Sequence, residues 1–145
     1  MNIPQYITAE EVKRVCSELG MRNWSSLTGP NVTLEEAERI LSQINVNRMP
    51  VPPEVFRQGL EVEPEHGTRF QDANVTNNHP ILTGMIVLAH LKESMDYYER
   101  LEVGEIEGDL LKAITDGNID KIRRKYRMLL DAKRILAEAE KREIL

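Results

Sequence analysis

Apolar and polar positions along this chain recur mostly with the period of amphipathic helices, and one stretch departs from that rule. It runs from Asn74 to Leu101, NVTNNHPILTGMIVLAHLKESMDYYERL. Stepping about 100° per residue from Leu88 places Ile81, Met85, Leu91 and Met95 on one stripe with it, and Ile86, Leu82 and Leu101 on the opposite side. A helix apolar on two sides is surrounded by other helices. The pattern therefore predicts a buried central helix over about 80–101. Pro80 suits its first turn, and Asn78 or His79 is its cap.

The remaining elements read as cladding. Thr8 with Glu11 and Thr33 with Glu36 are capping boxes, predicting helices over about 9–19 and 34–44, the first stopped by Gly20. Three prolines in NVNRMPVPP exclude helix there, and Pro53 starts a third helix that Pro64 is expected to kink or end. Residues 67–79 read as a long polar loop. A short helix over 105–115 is expected to turn Ile106, Leu110, Leu111 and Ile114 inward. Asp116-Gly117-Asn118 is a turn, and the longest helix follows, over about 119–142. Ile119, Ile122, Tyr126, Leu129, Leu130 and Leu136 are its expected inner side. No alternating strand pattern appears. The class is all-α: a compact bundle of about six helices around the central one, in a single domain over 1–145. Residues 118–145 form a long amphipathic C-terminal helix that projects or mediates assembly.

Composition and the character of particular segments change this picture in four places. A single cysteine, Cys16, excludes an internal disulfide and reads as a packed small hydrophobe. The opening MNIPQYITAEE shows no signal-peptide pattern, so a cytoplasmic setting is expected, and the N-x-T triplets at Asn31 and Asn74 read as turn chemistry. The apolar core from Ile81 to Leu91 is too short to span a bilayer. The net charge of −5 conceals an asymmetry: residues 118–145 carry nine Lys and Arg against five acids, the remainder ten against nineteen. Phosphate contact by the basic last helix is one reading. A solvated face that answers the acidic body is preferred, since no aromatic residues interleave the basic ones for stacking, and nucleic acid is not an expected partner.

The runs FRQGLEVEPEHG, NVTNNHPILTG and MIVLAHLKESMDYYERL together resemble an uncharacterised family of bacterial and phage proteins, a domain of unknown function. The pattern joins Glu63, Glu65, His66 and Gly67 to Asn74-Val75-Thr76, Thr83-Gly84, His90-Leu91, Glu93 and Asp96-Tyr97-Tyr98. It departs at Asn78 and His79, where the family pattern has two aspartates, at Met85, where it has lysine, and at Met95, where it often has proline. The resemblance implies a small helical protein, often phage-associated and then a candidate virion component. It implies no activity.

All three histidines fall in this region. His90 and Glu93, three apart on one helical face, can meet at one ion, and the EPEHG turn can bring Glu65 or His66 to the same point. The alternative is a structural polar network of His66, His90, Glu93 and Tyr97, and it is preferred because helical metal sites need further carboxylates. Catalytic motifs are absent, and no cofactor is assigned beyond a divalent metal in the first case. The expected function is a non-enzymatic interaction or structural protein whose partner is itself or a phage or host protein. The alternative is a metal-binding protein or metal-dependent enzyme at His66, His90 and Glu93. For assembly, Leu136, Ala139 or Glu140, and Ile144 form the expected seam.

Overall fold

The computed structural model describes residues 7–29, 31–69 and 74–144, with side chains for all of these except 65–69. The chain is all-helical, as the pattern predicts. Among the described residues six α-helices, α1 (Ala9–Glu18), α2 (Leu34–Ile44), α3 (Pro53–Arg69), α4 (Pro80–Glu93), α5 (Tyr97–Thr115) and α6 (Ile119–Ile144), occur with one 3-10 turn at Trp24–Ser26. No strand occurs among the described residues. By internal contacts the chain divides into two compact units, Met1–Lys92 and Glu93–Leu145.

The first unit is built by its caps. Thr8 accepts from the Glu11 N–H at 3.2 Å, and Thr33 with Glu36 forms the full reciprocal box. α1 ends in a Schellman turn: Gly20, at φ +64°, donates to Ser17, and Met21 donates back to Cys16. Having no basic residue in its last turn, α1 receives one from α2, as Arg39 donates to the Leu19 and Gly20 carbonyls at 2.8 and 2.7 Å. Val12, Cys16, Trp24, Ala37, Ile40, Phe56, Leu60, Val87 and Leu91 are buried in this core. Burial pushes the Cys16 thiol above its ordinary range, so it is a packing residue.

Three expectations change here. Pro64 does not end α3, which continues to Arg69, at the cost of the hydrogen bond that the Leu60 carbonyl would otherwise receive. The central helix is two helices. Ser94 donates from its hydroxyl to Asp96, and the Tyr97 N–H closes on the Ser94 carbonyl at 3.2 Å, a local polar turn that competes with helix. Tyr97–Leu101 therefore joins the segment expected as a separate short helix. The inward face of α4 also differs, carrying Pro80, Thr83, Gly84, Val87, Leu88 and Leu91, while Met85 is 55% exposed.

Gly84 explains that choice of face. A Cβ there would lie 2.6 Å from Ile40 Cγ2, 3.0 Å from Ile44 Cδ1 and 3.3 Å from Phe56, so α4 meets α2 and α3 at the one position with no side chain. Gly84→Ala should gain about 1 kcal/mol of helix propensity and lose about 1–3 to overpacking. A net destabilisation of up to about 2 kcal/mol is expected in urea unfolding followed by Trp24 fluorescence.

The second unit is an antiparallel hairpin. α5 stops in another Schellman turn, with Gly117 at φ +65° donating to Ile114 and Asn118 donating to Ala113. Asn118 then caps α6 by accepting from the Lys121 N–H at 3.0 Å. Ile106, Leu129 and Ala132 form the seam, with Val103 and Leu110 packed against it.

Candidate functional site

The polar groups that the sequence singles out are distributed as follows. His90, on α4, sets its Nδ1 3.0 Å from the Glu63 carboxylate on α3, both side chains being mostly buried. Glu93, expected in that polar network, is exposed, because it lies on the side of α4 opposite the buried face of Thr83, Gly84, Val87 and Leu91. Tyr97 is half-buried in the first turn of α5, with its ring edge-on to Tyr98 at 5.2 Å. The side chains of Glu65 and His66 lie outside the described residues. Among the described residues no group of three His, Cys, Asp or Glu side chains is placed to hold a metal ion.

Among the described residues of the first unit the most connected polar group is Glu36, of which sequence reasoning found only the capping role. Only 6% exposed, it accepts from Arg22 Nε at 2.9 Å and Nη2 at 3.0 Å, from the Trp24 indole at 3.2 Å and from the Thr33 N–H at 3.0 Å. Burial raises its pKa, but these donors outweigh burial and hold the carboxyl below its usual range. The capping box marked Glu36 in the sequence. Nothing there marked Arg22, fourteen residues away, as its partner.

His79 is buried at the entrance to α4, behind Asn77 and Asn78, both left-handed at φ 49° and 57°. Asn74 accepts from the Asn77 N–H at 2.9 Å, the turn chemistry expected of that triplet. His79 Nδ1 accepts from the Leu82 N–H at 3.4 Å, so the cap requires a neutral ring. Burial lowers its pKa, Glu11 opposes that, and Arg14 adds to it. A depressed histidine favours folding above the unfolded value near 6.5, and that contribution is lost as pH falls through the folded pKa. Urea titrations should show stability declining below about pH 6.5, with a shallower slope in His79→Asn, which keeps a capping side chain and cannot protonate.

In the second unit Asp96, 1% exposed, is held below the usual carboxylate range by Arg100, which donates to both its oxygens at 2.8 and 2.6 Å and reaches Glu140 of α6 at 2.8 Å. Lys125 pairs with Asp109 at 2.7 Å and Lys133 with Glu107 at 2.9 Å, so α5 and α6 are cross-linked by charge along their length. Their apolar residues are not all used. The expected inner side of α6 is corrected: Leu129, Ala132 and Ala139 are buried, while Ile119, Tyr126 and Leu130 are 58, 54 and 54% exposed. On α5, Leu111 and Ile114 are likewise 65 and 54% exposed. Small residues at the seam bring the helices close, and two helices share only one seam.

These exposed residues form one face. At about 100° per residue, Ile119, Tyr126, Leu130, Ala137 and Ile144 fall within about 40° of one another on α6. The Lys133 to Glu107 ion pair fixes which edge of α5 lies beside them, since Glu107 is about 20° from Ile114 and Lys133 about 20° from Tyr126. Leu111, Ile114, Ile119, Tyr126 and Leu130 thus cluster at the turn end of the hairpin.

A family model described as a protein of unknown function, DUF5661, matches residues 12–107. The chain belongs to that family. In this DUF5661 member the matched segment spans α1 from Val12 to Glu107 within α5, and α6 lies outside it. No curated protein and no solved structure matches the chain. No helix among the described residues is long and apolar enough to cross a membrane.

Proposed function

We propose that this DUF5661 protein is a non-enzymatic interaction protein whose working surface is the apolar face of the α5–α6 hairpin. One observation carries the reading: five large apolar side chains, each more than half exposed, lie together on one edge of a two-helix unit. Contiguous exposure of that kind marks contact sites, because solvating it opposes the hydrophobic term that folds the rest of the chain. The polar clusters support it by being internally occupied. Glu36, Asp96 and His90 each have partners within the chain, which suits structural roles. The resemblance to bacterial and phage proteins supports a phage-encoded origin, in the cytoplasm or in a virion.

A photo-reactive amino acid at position 126 tests this in cells that make the protein. Cross-linking at 126 that Leu130→Lys abolishes is expected, with none from position 124 on the opposite side of α6. Equal adducts from both positions, or none from 126, would remove the reading. Metal analysis separates it from the alternative at His66, His90 and Glu93. Stoichiometric metal that is lost on His90→Ala would put that alternative in its place.

A further inference from the structure

α5 carries a second unused feature. Gly104 and Gly108 are exposed, four residues apart in the helix interior, and a Cβ built on either meets nothing within 4 Å. An interior glycine weakens a helix relative to alanine, and here neither glycine is required by its own fold, since both have helical φ and open space. Gly84 shows the contrast, because its neighbours forbid a side chain. Together with Leu101 and Leu111, the two glycines leave an apolar face on α5 onto which a helix can approach closely.

Charge narrows what that helix is. α5 carries five acidic residues against two basic, and α6 nine basic against five acidic. Among the described residues, Arg123, Arg127 and Arg134, which flank the exposed stripe of α6, make no ion pair, and neither do Glu102 and Glu105 of α5. An apolar stripe with knobs at Tyr126 and Leu130, bordered by unpaired arginines, complements a glycine-bearing face bordered, past Leu101, by the unpaired Glu105. Both surfaces exist on one hairpin. We infer that the partner is a second copy of this chain, with the exposed stripe of α6 from one copy seated on the Gly104–Gly108 face of α5 from the other. A twofold arrangement makes this contact twice, with the same patches on both copies.

This inference rests on the hairpin face being the working surface, and the two can fail separately. Sedimentation equilibrium of the full chain should show a reversible monomer–dimer equilibrium that weakens with added salt. Gly104→Ala with Gly108→Ala should move two readouts in opposite directions: a higher thermal midpoint in dilute, monomeric protein, and a dimer weakened by tenfold or more. Leu130→Lys should weaken the dimer equally, and Ile135→Lys, on the other edge of α6, should not. A monomer at every concentration overturns the second copy, and if position 126 still cross-links to another protein, the interaction reading survives it. A dimer indifferent to the glycine and Leu130 substitutions overturns the proposed contact, as does a lowered midpoint in the double alanine variant.

Discussion

Leu88→Asp is expected to abolish the cooperative unfolding transition of the first unit. Leu88 is 6% exposed, and α4 contributes Val87 and Leu91 to the core on either side of it. A carboxylate at that position has no cationic partner among the core residues, and it either ionises in apolar surroundings or protonates at a cost in free energy. A loss of about 4–5 kcal/mol or more is expected, comparable with the whole stability of a small domain. Trp24, the one tryptophan and fully buried, is the reporter. Its emission should resemble that of the urea-unfolded protein without denaturant. A native-like spectrum with a sharp transition would show that α4 is not at the centre of this core.

Glu36→Ala should have the second largest effect. It removes one carboxylate and leaves the Trp24 indole N–H and the Thr33 N–H without their acceptor and the Arg22 guanidinium with only the Asn31 carbonyl, while the α2 cap loses half its box. Deleting one partner of a buried ion pair costs about 3–5 kcal/mol, and because Arg22 is 43% exposed and rehydrates, about 2–4 is expected here. Glu36→Gln, which keeps an acceptor oxygen, should cost less. The sign of the pH dependence follows from the lowered pKa: the contribution is present above the ordinary glutamate value near 4.5 and lost as pH falls through the folded value. Wild-type protein should lose stability there faster than Glu36→Gln does.

The helix boundaries were legible because they depend on local chemistry. Thr8, Thr33, Pro53, Pro80, Gly20 and the Asp116-Gly117-Asn118 turn each supply or remove a backbone hydrogen-bonding group within a few residues of where they act. Where a boundary failed, a local polar group had been read as part of a wheel. Ser94 and Asp96 close a turn in the middle of an expected helix, and Asp96 takes Arg100 as its partner one turn later. The resemblance did contain a signal: a family pattern that often has proline at position 95 fits a helix boundary there.

Helix faces were less legible. α4 is apolar all round, so periodicity gives it no direction, and the close approach at Gly84 selects a face that hydrophobicity would rank second. In α6 Leu129 faces inward as its spacing predicts, whereas Ile119, Tyr126 and Leu130 give way to Ala132 and Ala139, small residues that bring the axes together. The pattern offers the C-terminal helix as an assembly element with a seam along Leu136, Ala139 or Glu140, and Ile144; Leu136, Ala139 and Glu140 lie on the side of the inward-facing alanines, whereas Ile144 is exposed on the stripe. The stripe of Ile119, Tyr126 and Leu130 became visible only once α5 was known to cover the other side. Contacts such as His90 with Glu63 and Glu36 with Arg22 join residues far apart in sequence, and no spacing rule reaches them.

The central claim is that the turn end of the α5–α6 hairpin is covered when this protein assembles. Hydroxyl-radical footprinting of the full chain at low and high concentration reads that surface residue by residue. Leu111, Ile114, Ile119, Tyr126 and Leu130 should react freely in dilute protein and become protected as concentration rises, while Met128 and Ile135 on the other edge of α6 stay reactive. Protection confined to Met128 and Ile135, or reactivity of all seven that does not change with concentration, would contradict the account.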